Sequence, residues 1–477
     1  MKKKYMPIKH TLILLLIFLP SCSTHKYKLP AIQIPEKFTH QEAAATDLHI
    51  AHWWQQFNDP LLNDLIMQAI ENNYDLAIAL EKIEEARAFY HIKKAELFPQ
   101  IEALGVGQRI KTSDRLREIS STPDVTGIDR SLGIPGTTNS FFSIGFDTLW
   151  ETDFWGRIWH DKNARYYTFQ AEIEQMRAVR IILLADVART YIQLCSLQLQ
   201  IQYIQEKLDI DLKLVTLQEM LFTGGLINAI ELSIQKQNAD TTRSNLASLR
   251  IEYVQTKNKL AILTGKSPES LLLSPLPPQI PLSTATLHAG IPSDLLRQRP
   301  DIRQAERLLA AANESVSQAI AEWFPSFSLV GGFFSQASKK KNILNCGSMS
   351  WYVGPSVRWP LINFGRIQAN IDTKKAVEKQ AAFTYSQAVI LALKDVEDFL
   401  IAYFQNQEQI TLLIDKNNQA QVAETLAQDK YISGLENELE ALRFRKNRID
   451  TNIELIFIQE SLSSNLISLY KALGGGW

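Results

Sequence analysis

The chain has 477 residues, and its 50 Lys and Arg residues almost balance its 51 Asp and Glu residues, which gives a formal net charge of −1 at pH 7. This balance excludes a bulk electrostatic attraction to nucleic acid, and no zinc-finger, Walker or Rossmann motif follows a predicted strand. The sequence also lacks a His-x-x-x-His pair and a Gly-x-Ser-x-Gly motif. We therefore predict no enzymatic activity, no cofactor, no metal site and no nucleic-acid partner.

The N-terminal residues predict an exported lipoprotein. Lysines precede an apolar segment at residues 12–19 that is too short to span a bilayer. The tetrapeptide that ends at Cys22 resembles a bacterial lipobox, in which the cysteine is acylated, and by that resemblance Ser23 favours export to the outer membrane. We predict a signal peptide at residues 1–21 and a tail at residues 22–58 that is lipidated at Cys22. A plain signal peptide with an incidental cysteine is the alternative.

The rest of the sequence contains an internal repeat. Gly156-Arg157-Ile158 recurs 209 residues later (365 − 156) as Gly365-Arg366-Ile367, and the segment that begins at Asp75 recurs 226 residues later (301 − 75) from Asp301. A fixed period with one insertion indicates two equivalent structural units. We predict repeats at residues 59–265 and 291–477, joined by a proline-rich linker at residues 266–290.

Each repeat is predicted to begin with helices. Asp59 followed by Pro60 is typical of an N-cap and the first helical position. Helices are expected from about residue 60 to 97, with a break near Asn72-Asn73, and from about residue 292 to 323 in the second repeat.

Beyond these helices the hydrophobic period changes to two, which predicts four strands. Their expected ranges are about 99–112, 139–153, 326–338 and 350–362. Apolar side chains that alternate with small or polar ones include Phe142, Ile144, Phe146, Trp150, Phe327, Leu329, Phe333, Trp351, Val353, Val357 and Trp359. Such aromatic-rich alternation resembles transmembrane β-strands around a polar lumen. Soluble hairpins packed on the helices are the alternative.

Two very long helices are predicted after the strands. Residues 157–223 and 366–433 contain no Gly or Pro, and each run is followed, beyond a glycine turn, by another at residues 226–264 or 435–473. A helix of 67 residues would be about 100 Å long. Charged residues occur throughout these runs, so they cannot lie in lipid and must pack against other helices in water. In the first run the predicted buried stripe is Val187, Tyr191, Leu194, Leu197, Ile201, Ile204, Leu208, Leu212 and Val215.

Four strands cannot close a barrel, and hydrocarbon does not tolerate an open sheet edge. Membrane strands therefore require association of chains, because small barrels have at least eight strands. Two chains would give eight strands and a filled interior, whereas three would give twelve strands and an open lumen. Strands continued by long helices indicate a duct that crosses a membrane and an adjoining aqueous compartment.

At this point the sequence resembles a known family. The chain is similar to TolC-type outer-membrane efflux proteins, and in particular to the NodT-like lipoprotein branch that serves RND efflux systems. The residues that carry the resemblance are Trp53-Trp54, Asp59-Pro60-Leu61, Phe98-Pro99, Ile291-Pro292-Ser293-Asp294-Leu295-Leu296, Arg299-Pro300-Asp301-Ile302, Phe324-Pro325, Trp359-Pro360, Phe364-Gly365-Arg366 and the C-terminal segment Tyr470 to Trp477.

The resemblance implies a mostly α fold with a membrane β part, made of two tandem repeats of long helical hairpins plus β-hairpins. A homotrimer would form a 12-stranded β-barrel on an α-helical periplasmic barrel, lipid-anchored in the outer membrane of a Gram-negative cell. The implied function is a passive exit channel of a tripartite pump that exports small molecules such as drugs or metal ions, with a periplasmic adaptor and an inner-membrane RND-type pump as partners. The alternatives are an exit duct for type I protein secretion and a structural lipoprotein whose coiled-coil rods bridge the envelope.

Two glycine turns are candidate functional sites. Gly225 and Gly434 lie where two long helices reverse, and glycine supplies the positive φ that such a turn requires. Phe222 and Tyr431 precede these glycines by three residues. By the family resemblance, these turns are the periplasmic tips of the channel.

An acidic residue follows each glycine by six positions. The resemblance implies that Glu231 and Glu440 face the closed end of the tunnel, where a trimer would arrange three copies of each around one axis. Carboxylate rings favour cations. Our hypothesis is that both acids form the channel gate, with Arg443 as a pairing partner. The alternative is that they lie on an ordinary solvated helix face.

Overall fold

The structure is a computed structural model that describes residues 25–32, 35, 50–111, 113, 138–271, 277, 279–283 and 298–476. Cys22, the signal peptide and Trp477 lie outside the described residues. Among the described helices, none combines the length and the apolar character needed to cross a membrane.

Helices make up most of the described chain. They are α1 Pro60–Asn72, α2 Tyr74–Ala95, α3 Arg157–Thr223, α4 Ala229–Leu263, α5 Pro300–Ala321, α6 Arg366–Ile432 and α7 Glu438–Ala472. The strands are β1 Gln100–Lys111, β2 Thr138–Thr152, β3 Ser326–Ala337 and β4 Met349–Arg358. Short 3-10 helices occur at Ile50–Phe57, Lys340–Asn342 and Cys346–Ser348. The two long helices α3 and α6 have 67 residues each, and the helices that follow them, α4 and α7, have 35 each.

The described residues form two compact units. The first takes its residues from Met1–Pro30, Glu84–Gln170 and Glu306–Phe383, and the second takes them from Ala31–Ile83, Ala171–Ala305 and Thr384–Trp477. All four strands belong to the first unit, whereas both glycine turns belong to the second. Each unit contains segments of both sequence repeats, so the compact units and the repeats are different divisions of the chain.

The start of α1 is stabilised as its sequence predicts. One carboxylate oxygen of Asp59 accepts hydrogen bonds from the backbone N–H groups of Leu61 (2.8 Å) and Leu62 (3.2 Å). The other oxygen accepts a 2.6 Å hydrogen bond from the Tyr191 hydroxyl on α3. Asp59 therefore caps α1 and also attaches it to the long helix, and burial of the hydroxyl raises the pKa of Tyr191.

The core of the second unit surrounds the middle of α3. Trp53 is buried, and its ring stacks on Tyr470 with 5.5 Å between the centroids, so it is a packing anchor of this core. Cys195 is also buried in this core, and burial raises the pKa of its thiol to about 12.

The predicted stripe of α3 is buried or half-buried at every position except Leu212. Leu212 is exposed, and the buried positions are Ile210, Asp211 and Leu214. The prediction considered apolar residues alone, so it chose Leu212 instead of Asp211 as the next buried position after Leu208. The position three residues after Leu208 carries a buried aspartate, and the 3.6-residue helical period places it on the same face.

Candidate functional site

The four strands form one antiparallel sheet in the order β1-β2-β3-β4. Within β2, Phe146 lies opposite Ala103 of β1 and Phe333 of β3. The central strands are paired on both sides, but β1 and β4 each present one edge without a partner strand in the described chain. These edges, of 12 residues in β1 and 10 in β4, are strand-pairing surfaces in water and are not tolerated in hydrocarbon.

One face of this sheet is apolar and exposed. More than half of the side-chain surface is accessible in Ile144, Phe146, Phe333, Trp351, Val353 and Val357. The alternating neighbours Ser143 and Phe334 are buried instead. Soluble hairpins packed on helices would bury these large apolar side chains, so the exposed face disfavours that alternative.

Trp150 keeps the predicted register but is less exposed than the other apolar residues of its face. Its neighbour Leu149 is the exposed residue, whereas Trp150 is half-buried and donates a 3.0 Å hydrogen bond from Nε1 to the Leu97 carbonyl oxygen. The indole N–H needs an acceptor when it leaves water, and that requirement fixes the ring at the base of the sheet.

The two glycine turns have the same backbone geometry. Gly225 and Gly434 have φ values of 71° and 72°. The Leu226 N–H donates to the Leu221 carbonyl, and the Gly225 N–H donates to the Phe222 carbonyl. Leu435 and Gly434 donate to Lys430 and Tyr431 in the same way. These are paired Schellman turns, which end a helix by satisfying its last carbonyl groups.

Large apolar side chains are exposed at both turns. Leu226 and Leu435 are 75% and 77% exposed, and Phe222 and Tyr431 are partly exposed. Exposed apolar clusters of this kind mark surfaces that contact another protein. The turns therefore combine rigid backbone geometry with an apolar surface.

The two acidic residues occupy equivalent positions one turn into the next helix. Asn228 is the N-cap of α4, and its side-chain oxygen accepts a 2.9 Å hydrogen bond from the Glu231 N–H. Asn437 is the N-cap of α7 and accepts the corresponding 2.9 Å bond from the Glu440 N–H. An acid three residues after an N-cap is a capping position, and a carboxylate there also interacts favourably with the helix dipole.

The carboxylates themselves have different partners. Glu231 accepts a 3.2 Å hydrogen bond from the side-chain amide of Asn228, whereas Glu440 lies 2.5 Å from the Arg443 guanidinium. Both acids have a local structural role in the cap, which the spacing from the glycines did not reveal. The Asn-x-x-Glu pattern was the sequence signal for it.

A buried charge cluster shared by α3, α4 and α7 was not predicted. The Asp211 side chain is completely buried, and its carboxylate contacts Lys446 Nζ at 2.6 Å, the Thr242 hydroxyl at 2.8 Å and the Gln235 amide at 3.3 Å. These partners come from α4 and α7, so one carboxylate joins three helices. The only indication in the sequence was an aspartate, Asp211, at a position that the helical period places on the same face as Leu208.

Comparisons with known proteins identify both the family and the fold of the chain. The model of the family described as "Outer membrane efflux protein" matches residues 65–266 and 291–475. The cation efflux system protein CusC of Escherichia coli K12 is 31% identical over 458 residues, which cover 94% of this chain and 95% of CusC. The chain belongs to the outer membrane efflux protein family.

Other relatives and solved structures agree with this assignment. The solvent efflux pump outer membrane protein SrpC of Pseudomonas putida is 30% identical over 424 residues, which cover 88% of this chain and 86% of SrpC. The structure of the outer-membrane channel OprN matches with a TM-score of 0.82 and 26% identity, covering 96% of this chain and all of OprN. A structure of CusC matches with a TM-score of 0.75 and 30% identity over 95% of this chain and 99% of that one. The fold is that of the outer membrane efflux family, and the exposed apolar sheet is its membrane part.

The exposed apolar face predicts which strand residues contact lipid. Replacing Val353 of β4 with arginine is expected to cost roughly 2–4 kcal/mol per chain, because a guanidinium near the bilayer midplane is poorly solvated. Ser356 points to the opposite face of the same strand and is the matched control. The amount of folded protein extracted from outer membranes should fall sharply for Val353→Arg and little for Ser356→Arg. Equal yields would show that β4 does not face lipid.

Proposed function

We propose that this chain is the outer-membrane exit channel of a tripartite efflux pump, through which small molecules leave the cell passively. The observation that carries the proposal is an uncovered apolar sheet with two open edges, in the same chain as two charged helices of 67 residues. Strands with an exposed apolar face are stable in a bilayer, and helices that carry charged residues throughout are stable in water. One chain therefore has the parts for crossing a membrane and for extending beyond it.

We propose that three chains assemble into the channel. The described residues of each chain contribute four strands and two unpaired edges, so closure requires β4 of one chain to pair with β1 of the next. Three chains supply twelve strands, which leave an open lumen, whereas eight strands would be filled by side chains. A periplasmic adaptor would contact the apolar surface at Leu226 and Leu435, and an inner-membrane RND-type pump would drive transport.

For the transported molecules we propose only a broad class, which is small molecules of differing chemistry. The printed names of relatives mention cations for CusC and solvents for SrpC, so the family exports chemically different small molecules. A wet lumen lined by the polar sheet face is tolerant of many solutes. We therefore assign selection of the cargo to the pump and passage to this channel.

The N-terminal tail is proposed to anchor the chain through acylated Cys22, which would add the outer-membrane lipid as a partner. Three residues later, the His25 N–H donates a 2.9 Å hydrogen bond to the Ser317 hydroxyl, and the His25 ring lies 3.0 Å from Glu378. These contacts attach the tail to α5 and α6. The acyl chains would then insert near a fixed point on the protein.

The proposed function is tested by reconstitution of the purified trimer in planar bilayers. A channel gives discrete conductance steps, whereas a structural lipoprotein that only bridges the envelope gives none. Deletion of the chain in its host should also sensitise cells to small toxic molecules if it serves efflux. Lost secretion of a protein with unchanged sensitivity would favour the type I secretion duct instead.

The gate hypothesis predicts a change in ion selectivity. We propose that Glu231 and Glu440 form carboxylate rings at the closed end of the tunnel, with Arg443 bound to Glu440. Glu231→Gln together with Glu440→Gln removes six charges from a trimer while leaving both helix caps able to form. Cation selectivity in single-channel recordings should fall several-fold, because carboxylate rings concentrate cations.

The matched control for the gate is Asp240→Asn. Asp240 is an exposed acid on α4 that pairs with Arg243, so its replacement removes a charge from the same helix away from the cap. Its selectivity should equal that of the unmodified channel. Unchanged conductance and selectivity in the Glu231/Glu440 double variant would refute the gate and leave both acids with a capping role only.

A further inference from the structure

The two β-hairpins of the sheet have the same register once the repeat shifts are applied. Ala103 pairs with Phe146 in the hairpin of β1 and β2. The residues that lie 226 and 209 positions later (329 − 103 and 355 − 146) are Leu329 and Pro355, and these pair in the hairpin of β3 and β4. The register of one hairpin therefore gives the register of the other without an offset.

The base of each hairpin also has an equivalent hydrogen bond. Trp150 of β2 donates from its indole N–H to the Leu97 carbonyl oxygen at 3.0 Å. Trp359, directly after β4, donates in the same way to the Trp323 carbonyl oxygen at 3.1 Å. The repeat shifts relate both donors and both acceptors, so the repeats are equivalent in side-chain contacts as well as in backbone register.

Aromatic rings hold the two hairpins together where β2 meets β3. Trp155, shortly after β2, stacks on Phe324, with 4.6 Å between the ring centroids, and donates a 2.8 Å hydrogen bond to the Pro325 carbonyl oxygen. Phe154 contacts Phe327 of β3 edge to face at 5.3 Å. Stacked and edge-to-face rings of this kind are favourable beyond the area that they bury. The end of the first repeat's second strand is thus fastened to the start of the second repeat's first strand.

The residues equivalent to the Trp155–Phe324 stack are exposed at the two outer strands. Phe364 follows β4 at the position of Trp155, and Phe98 precedes β1 at the position of Phe324. Phe364 is 98% exposed and Phe98 is 61% exposed. The strands β1 and β4 are three strand spacings apart in the sheet, about 14 Å, so these two rings of one chain cannot stack on each other.

The backbone of Phe364 is strained as well. Its φ is 48°, and among the described non-glycine residues only Asn58 also has a positive φ. The left-handed region is unfavourable for a residue with a Cβ atom. Exposure and strain therefore coincide at Phe364, whereas its stacked counterpart Trp155 is half-buried and has no positive φ.

We propose that β4 of one copy pairs with β1 of a second copy in the register that β2 and β3 have within one chain. Thr148 of β2 lies opposite Gly331 of β3. The repeat shifts then place Val357 opposite Gly105 of the next chain (148 + 209 and 331 − 226). Each contact of this kind is head-to-tail, so successive contacts close into a ring. The inference rests on the proposed assembly of the channel and specifies its chain-to-chain contact.

The same shifts stack Phe364 on Phe98 of the next chain. Phe98 and Pro99 repeat the Phe-Pro pair on which Trp155 lies, so the receiving surface is the same. Phenylalanine has no N–H group, so its ring contact forms without the hydrogen bond that Trp155 makes. The stack covers two large apolar side chains that are exposed in the single chain.

The proposed register keeps the apolar face of the sheet continuous between chains. Val357 lies on that face, and Gly105 lies opposite Ile144, which is exposed on the same face. A slip of one residue would bring the polar face of one strand beside the apolar face of the other. By the same count Ala103 lies opposite Trp359, so small residues of β1 leave room for larger residues at β4.

The register is tested with pairs of cysteines in the full chain, with the exposed Cys346 replaced by serine. One variant combines Val357→Cys with Gly105→Cys, and another combines Ser356→Cys with Val106→Cys, which tests opposed positions on each face. Opposed Cβ atoms are about 4.5–5.5 Å apart in a sheet, close to disulfide geometry. Oxidation should link chains into covalent dimers and trimers through at least one of the two pairs.

The control pairs are displaced along β1 by two residues and keep the same face. They combine Val357→Cys with Gly107→Cys and Ser356→Cys with Gln108→Cys. Diagonal neighbours are about 7–8 Å apart, so these pairs should link chains at least tenfold less. Stronger linkage through the displaced pairs than through the opposed pairs would overturn the register, and so would the absence of any linkage.

The aromatic stack is tested separately with Phe364→Ala and Phe98→Ala. Each replacement should raise the rate at which sodium dodecyl sulfate separates the chains several-fold. The double variant should separate no faster than the faster single variant, because either replacement removes the same contact. Ile362 is an exposed neighbour of Phe364 and provides the control, since Ile362→Ala and Phe98→Ala should have independent effects.

Independent effects of Phe364→Ala and Phe98→Ala would overturn the stack and indicate that Phe364 contacts lipid instead. Bilayer conductance of the same variants reports on the proposed function. Discrete conductance steps together with linkage in another register would overturn this inference and leave the exit channel in place. Absent conductance together with linkage through the opposed pairs would instead contradict the channel and support the chain-to-chain contact.

Discussion

Replacing Lys446 with methionine is expected to destabilise the helical part of the trimer strongly. The Asp211 carboxylate has no access to solvent, and Lys446 supplies its cationic partner at 2.6 Å. Removing one member of a buried ion pair typically costs about 3–5 kcal/mol, because the remaining charge stays buried without compensation. The thermal midpoint of the helical circular dichroism signal, measured on the trimer in detergent, should fall clearly.

Lys416 provides the matched control for this prediction. Its ammonium lies 2.5 Å from Glu454, so the geometry is equally close, but half of each side chain is exposed. Lys416→Met should cost at most about 1 kcal/mol, because water solvates the carboxylate that remains. Adding Asp211→Asn to Lys446→Met should recover part of the lost stability, since the buried charge disappears. Equal shifts for Lys446→Met and Lys416→Met would show that the buried cluster contributes no more than an exposed pair.

Replacing Gly265 with alanine is expected to be the most damaging glycine substitution at a helix end. Gly265 has a φ of 72°, and a Cβ atom there would lie 2.2 Å from the Asn72 carbonyl oxygen. Relief requires displacement of the chain between α1 and α2, where Asn73 also binds Leu263. Positive φ costs an alanine roughly 1–2 kcal/mol, and the backbone overlap adds to this cost, for a total expected near 4 kcal/mol or more.

Gly225→Ala separates conformational strain from the steric overlap. Its φ of 71° is almost the same, but no atom lies within 4 Å of the added Cβ. This variant should lose only about 1–2 kcal/mol and still assemble, because only the left-handed conformation is penalised. Folded trimer yield and thermal midpoint should therefore rank unmodified protein, Gly225→Ala and Gly265→Ala in that order. Equal yields and equal thermal midpoints for Gly225→Ala and Gly265→Ala would mean that the backbone at Asn72 moves to accommodate the added Cβ without a loss of stability.

Local patterns accounted for the regular elements of this chain. The long helices follow from runs without Gly or Pro, and the strands follow from alternation with a period of two, as at Val353 and Val357. Asp59 before Pro60 identified a helix start correctly. Each of these signals involves residues only a few positions apart, so the sequence carries it without reference to the rest of the fold.

The same reasoning failed where a residue's partner lies far along the chain. Leu212 was predicted to be buried, but Asp211 occupies that face because Lys446 and Thr242 reach it from other helices. The family resemblance implied a gate at Glu231 and Glu440, and the structure adds a local capping role for both acids through Asn228 and Asn437. The gate itself stays a prediction for conductance measurements.

The repeat, the helical and strand segments, the glycine turns and the family can be inferred from the chain without its fold. It took the packed structure to show that Asp211 joins three helices, that the Trp150 indole binds the Leu97 carbonyl, and that Gly265 lies against the backbone of Asn72. The cause is distance along the chain. Periodicity and capping depend on neighbours within one or two helical turns, whereas charge pairing and cleft formation depend on which distant segments pack together.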